Sequence, residues 1–205
     1  MTDNDRYSPF DAPDQLAGKE PADWTRAEAG TYFGWLVEQV EPRSTRLLAW
    51  LGLDDRPDHA GVLREVGAAA VERLRSPAFS GPGEPVPVVL KGHAFDYDAG
   101  PELSAEGLAL GADIGLLVAR YLLADFGDKV KLEIGGRPKS WIWHNRPVLS
   151  GGGISPFDPT GASIANAYGV LRGERDASIW ARMYEHAAAA LIANSPEQRH
   201  HHAKG

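Results

Sequence analysis

Apolar side chains recur every three to four positions over most of this chain, and the recurrence is broken at prolines and glycines. Thr25 with Glu28 three residues later forms a capping box, which predicts a helix running to about Val40. Phe33, Leu36, Val37 and Val40 fall on one face of it, and Pro42 is its expected stop. A short helix from Ser44 to Leu51 follows, with Leu47, Leu48 and Leu51 inward and Gly52 as its terminator. Asp58 caps a third helix, in which Val62 or Leu63, Val66, Ala70 and Leu74 keep helical spacing until Pro77. The proline- and glycine-rich stretch from Ser80 to Pro87 reads as a connector, and Val88 to Leu90 as at best a short edge strand.

The region from Leu103 to Gly173 is more sharply patterned. Ser104 or a neighbour opens a long apolar helix that ends near Phe126 and Gly127, and Gly107, Gly111 and Gly115 form one stripe along it. Such a stripe lowers helix propensity but admits another backbone at short range. Lys129 to Ile134 alternates strictly, with Val130, Leu132 and Ile134 on the dry face. Gly135 to Lys139 turns the chain. Ser140 to Leu149 is predicted to return as the second strand with Trp141 and Trp143 on a common side, and Pro147 places that end at an edge or a bulge.

Asp158 as cap and Pro159 at the first helical position then start a helix ending near Arg172, with Gly173 as its stop. Asp176 caps a last helix to about Asn194, with Ile179, Met183, His186, Ala187 and Ala190 inward. The fold class expected is α+β: a mostly helical single domain with a small antiparallel hairpin or three-stranded sheet packed against helices. Residues 1–22 are assigned to a disordered leader able to fold back over the domain, 23–194 to the domain and 195–205 to a disordered tail.

Composition narrows the chemistry. The formal net charge is −7 and no long basic run occurs, which argues against nucleic acid and suits a basic protein partner. With no cysteine, thiolate chemistry and Cys-bearing zinc sites are excluded. The start, Met1 to Phe10, has no secretion-signal pattern, and the longest apolar stretch, Leu108 to Leu123, is interrupted by Asp113 and Arg120 and is short for a bilayer. The expectation is a cytoplasmic chain that meets no membrane.

Each candidate site competes with a structural explanation. His93, Asp96 and Asp98 could share a divalent ion, but no second His completes the set, and a polar loop before a helix explains them better. The run from Ser150 to Ser155 suggests an anion cradle, yet it matches neither phosphate-loop pattern, and Pro156 and Pro159 delete donors. Asp113 and Arg120 share a side of the long helix and read as border residues of the apolar stripe; the alternative is a buried charged site. Asn166 poses the same question, with one internal hydrogen bond as its expected lot. The terminal histidine run from His200 to His202 reads as incidental. Of the six tryptophans, Trp141 and Trp143 either pack under a helix or build a recognition surface, which Tyr97, His144 and Arg146 would extend.

The run Leu-x-Leu-Gly-Ala-Asp-Ile-Gly from Leu108 to Gly115, with Lys131-Leu-Glu-Ile, Arg137-Pro-Lys-Ser-Trp, Asn145-Arg-Pro-Val-Leu and Ala167-Tyr-Gly-Val-Leu-Arg-Gly-Glu, resembles a group of uncharacterised bacterial cytoplasmic proteins. Their N-terminal helix is similar to Asp23-Trp-Thr-x-Ala-Glu-Ala-x-x-Tyr-Phe-x-Trp. Some proteins with a similar helix–hairpin–helix core look like immunity proteins that neutralise secreted bacterial toxins. The resemblance implies a fold and a binding role and carries over no catalytic residue. The expected function is therefore non-enzymatic recognition of a macromolecule, as a toxin-neutralising or accessory binding protein with no cofactor. The alternatives are a small-ligand or metal-binding enzyme sited near His93, Asp96, Asp98 and the loop from Gly151 to Asp158, and a structural subunit of a larger assembly.

Overall fold

In the computed structural model the residues described are 7, 13, 16, 19, 21–83, 86–90, 93–97, 100–136, 142–153 and 155–193; the side chains of 86–90 and 93–97 lie outside that description. The capping box forms as read from the sequence. Thr25 Oγ1 accepts the Glu28 amide at 3.2 Å and the Glu28 carboxylate accepts the Thr25 amide at 2.8 Å. Lys19 also reaches that carboxylate, and with the Thr25 bonds it holds Glu28 well below its ordinary 4.5, at about 2. A carboxylate whose folded value is depressed lends stability above its unfolded value and loses it as pH falls through the folded one. The advantage of wild type over Glu28→Gln in thermal melts should therefore shrink between pH 4.5 and about 2. An advantage that stays constant across that window would exclude the linkage.

The helix this cap begins, α1 (Arg26–Leu51), does not stop at Pro42. The two helices expected on either side of that proline are one. Pro42 is solvent-exposed, so its missing amide falls on the outer side, where helices curving around a core already lengthen their bonds. Arg43, Ser44, Leu47 and Leu48, just beyond it, are buried and hold the second half against the core. Gly52 closes the helix in the left-handed region at φ 69°. Asp58 caps α2 (His59–Leu74) through the Gly61 amide, and Val62, Leu63, Val66, Ala70 and Leu74 are inward as the spacing requires.

The connector after α2 contains more strand than its prolines suggest. β1 (Ser80–Pro82) pairs antiparallel with β4 (Pro101–Leu103), and β2 (Val86–Leu90) pairs with β3 (His93–Tyr97), with Pro87 opposite Asp96. Residues 93–97, expected in a polar loop, are therefore a strand. Ser104 then caps α3 (Ala105–Phe126), and β5 (Lys131–Ile134) pairs with β6 (Pro147–Ser150). The return strand is shorter than its apolar pattern predicts: residues 142–145 form a turn, and Pro147 is the strand's first residue, where a missing amide costs least. Asn145 adopts φ 61° in that turn, and its side-chain amide donates to the Trp24 carbonyl at 2.7 Å, so this buried group holds the turn to the start of α1. Among the described residues the sheet content is three separate two-stranded pairs.

α3 is the axis of the molecule. Among the described residues it is the one helix long and apolar enough to cross a membrane, but most of its apolar window is buried under the surrounding helices. Leu110, Ile114, Leu117, Val118 and Leu122 are fully buried, each such side chain contributing roughly 1.5–3 kcal/mol. α4 (Pro159–Leu171) lies across the glycine stripe of α3: a Cβ on Gly115 would stand 2.5 Å from the Pro159 carbonyl oxygen. α5 (Ile179–Ile192) packs on α2 and closes the core with Trp180, whose indole N–H donates to Ser163 at 2.9 Å. Ser178 holds the N-cap position of α5 and Asp176, two residues earlier, accepts its amide. Within the expected leader, Tyr7 and Leu16 are buried against the domain and Tyr7 belongs to the main core.

Candidate functional site

Of the residues expected to form a recognition surface, Trp143, His144 and Arg146 lie in the turn before β6. Tyr97 is in β3 with its side chain outside the description, and Trp141 lies outside the described residues. Trp143 is half-buried and its carbonyl accepts the Arg146 amide. His144 is buried, with Nδ1 3.2 Å from the Gly136 carbonyl oxygen. Arg146 turns toward Asp158, the cap of α4, at 3.6 Å and so ties the hairpin to that helix. What protrudes from this turn is Ile142, 71% exposed. His93 and Asp96 are in β3 and Asp98 lies outside the described residues; among the described residues no three His, Asp or Glu side chains are grouped as metal ligands.

Asp113 and Arg120 do not pair with each other. Asp113 is fully buried; Arg43 reaches one carboxylate oxygen through Nε and the Tyr7 hydroxyl donates to the other at 2.5 Å. Burial pushes this carboxyl above its ordinary range, against the pull of Arg43 and Tyr7, and burial likewise raises the Tyr7 phenol. Expecting Asp113 at the border of the stripe was incorrect, because its partners come from α1 and from the leader, far away in sequence. The three groups are buried together, and they fasten Tyr7 beside Trp50 and Phe79.

Arg120 instead bridges Glu41 at 2.7 Å and Asp55 at 2.6 Å. Asp55 also accepts the Tyr121 hydroxyl at 2.9 Å, and the ring of Tyr121 stacks on His59 with centroids 3.9 Å apart. His59 Nδ1 stands 2.8 Å from Asp125, which the Tyr184 hydroxyl also reaches. Partial burial and the Asp125 carboxylate push the Tyr184 phenol up. Asp125 ends α3, where the helix dipole disfavours a carboxylate, and its contact with His59 at the start of α2 offsets that placement. This network fastens helix ends together.

One concavity differs from these in kind. Between α4 and α5 runs an open groove of about 700 Å³, within the range of ligand sites. Its floor is Phe157, Ala162, Ile179, Met183 and Ala187. Ser155 and Pro156, in the loop the sequence marked as a ligand candidate, close one end. In the run from Ser150 to Ser155 the Gly153 amide is spent on the Leu191 carbonyl at 3.0 Å. Arg175, Arg182 and His186 stand on the rim, all exposed, and among the described residues no carboxylate lines the groove.

Asn166 is 7% exposed and lines the same groove; its amide donates to Met183 Sδ at 3.2 Å, a weak acceptor. Arg182 is bound to Asp176 at 3.3 Å and to Ser178. Arg175 lays its stem over Gly169, and among the described residues no carboxylate pairs with it. Sequence reasoning placed His186 and Ala190 in the core stripe of α5. They are exposed instead: Trp180, Ala181, Ala188 and Leu191 meet the core, Ile179, Met183 and Ala187 belong to that same core and also line the groove, and Ala190 lies at the groove's exposed edge. The signal was available in an apolar arc wider than one core contact needs. No family model, no curated protein and no solved structure matches this chain.

Proposed function

We propose that this chain is a non-enzymatic binding protein that takes a segment of another protein into the groove between α4 and α5. The single observation behind this reading is the groove itself: open along its length, apolar on its floor, and flanked by two helices whose outward side chains are small or flexible. Ala162, Ala187 and Ala190 leave room for an incoming side chain, and Met183 adapts to varied shapes. The other titratable clusters are consumed in fastening helices to one another. A cytoplasmic setting and a toxin-neutralising or accessory role are in keeping with the sequence resemblance and with the absence of cysteine.

The alternative of a small-ligand binder has one specific support, the contribution of Ser155 and Pro156 to the groove wall. The openness of the groove favours a polypeptide, since small ligands are largely enclosed. Ala190 is exposed on the rim, so Ala190→Trp should leave stability within about 0.5 kcal/mol while filling the groove. Tagged wild type and variant are to be compared for proteins retained from the native host. A protein held by wild type and lost, at least tenfold, by the variant is the expected result. Equal retention by both, or no retention by wild type, would overturn the reading.

A further inference from the structure

We propose that the groove between α4 and α5 selects an acidic amphipathic helix, seating its apolar face on Met183 and Ile179 and pairing its carboxylate flank with Arg175 and Arg182. This rests on the groove reading above and adds the chemistry of the occupant. The charge distribution carries it. The chain as a whole has a net charge of −7, yet among the described residues the wall of this groove holds two guanidinium groups and an imidazole and not one Asp or Glu. A net charge governs long-range approach, whereas the contact itself is selected by the groups that meet there.

The two arginines are differently prepared. Arg175 is exposed with its stem packed on Gly169, which limits the rotamer freedom lost when it meets a carboxylate. Arg182 is held by Asp176, itself 67% exposed, and an exposed pair of this kind is worth only about 0–1 kcal/mol, so an incoming carboxylate can share it. Arg182 and His186 are four residues apart on α5 and face the groove together. Between these polar groups and the floor sits Asn166, more than nine-tenths buried, whose one side-chain hydrogen bond among the described residues ends on sulfur. It is a polar group that an occupant's backbone or side chain would satisfy better than Met183 does.

A helix matches this layout better than an extended strand. Most of the lining comes from α4 and α5, and the amide and carbonyl of Phe157 in the loop beside them are already paired with Leu149, so recognition runs through side chains at helical spacing. The test uses the full chain and labelled peptides of about 16 residues sharing one leucine face at helical spacing, with Glu, Gln or Lys on the flanks. Fluorescence anisotropy should rank them Glu, Gln, Lys, with about tenfold between the first and the last, and added salt should narrow that gap.

Arg175→Glu should bring the Glu and Lys peptides to within about twofold of each other, through loss of the first and gain of the second. Equal binding of the three peptides, with Arg175→Glu showing no effect, would overturn the acidic specificity while leaving the groove as a binding site. No binding by any peptide, or binding that Ala190→Trp fails to reduce, would overturn the groove reading itself. Displacement of all three peptides by dodecanoate together with tighter binding of that fatty acid would assign the groove to a small amphiphile. Concentration-dependent light scattering that Ala190→Trp abolishes would assign it to a second copy of this chain. Either of these last two outcomes overturns the helix.

Discussion

Replacing Arg43 by Met should cost about 3–5 kcal/mol of stability, near the top of what a single substitution does. Met keeps much of the apolar stem and removes the guanidinium, so the effect isolates the charge. Asp113 is fully buried and Arg43 is 5% exposed, so the carboxylate loses the cation bonded to it and keeps only the longer-range pull of Arg46. The Tyr7 hydroxyl would remain as a donor, too weak alone to balance a buried charge. The protein can respond only by protonating Asp113, and that gives the loss a pH signature. Burial already raises this carboxyl above its ordinary value, and removing Arg43 raises it further. A carboxyl that binds its proton more tightly when folded lowers stability at high pH, and that stability returns as pH falls through the raised value.

The destabilisation of Arg43→Met should therefore be largest near neutrality and shrink in acid, in urea unfolding of the two proteins side by side. The triple variant Arg43→Met, Asp113→Leu, Tyr7→Phe should recover most of the loss, because replacing a whole buried polar set with apolar groups of similar volume is often neutral. A loss below about 1 kcal/mol, or one independent of pH, would show that the triad is not a buried charge held by its partner.

The triad also marks the limit of what could be read from the chain. Helix existence and most boundaries were legible because caps and stops are local: Thr25 with Glu28, Asp58, Ser104, Asp158 with Pro159, and Gly173 all act within four residues. Pro42 was misread for the complementary reason, since whether a proline ends a helix depends on which side of it faces solvent, a tertiary fact. Asp113 looked like a border residue because its partners, Arg43 and Tyr7, are 70 and 106 positions away. The strand pairing of 93–97 was hidden because Asp96, with Asp98 just beyond it, was read as a polar loop, although Phe95 and Tyr97 alternate at strand spacing and favour a strand. The groove was half visible: its loop from Ser155 to Phe157 and its α5 residues were each singled out, but their convergence required the placement of α4 against α3.

That placement rests on Gly115, and Gly115→Ala should lose about 3 kcal/mol or more even though alanine favours a helix by about 1 kcal/mol. A Cβ there would meet the Pro159 carbonyl oxygen at 2.5 Å, the Thr160 Cα at 2.7 Å and the Pro159 carbonyl carbon at 2.9 Å. All three are backbone atoms in the first turn of α4, a turn fixed by the Asp158 cap, so no side-chain rotation relieves the overlap. Either α4 moves outward or α3 bends.

Gly111, one turn earlier on the same stripe, provides the contrast. Its added Cβ would stand 3.3 Å from the Ala167 Cβ and 3.3 Å from the Ile164 Cα, and a few tenths of an ångström of movement accommodates it. Gly111→Ala should fall within about 1 kcal/mol of wild type, while Gly34→Ala, at a helical position with open space around it, should gain about 0.5–1 kcal/mol. Thermal and urea unfolding of the three variants give an order that helix propensity alone cannot produce. Three equal gains would mean that α4 is not seated on the stripe. Because α4 is one wall of the groove, the shift forced by Gly115→Ala should also weaken the Glu-flanked peptide, and Gly111→Ala should not. Loss of binding in step with loss of seating would tie the groove to the backbone contact between α3 and α4.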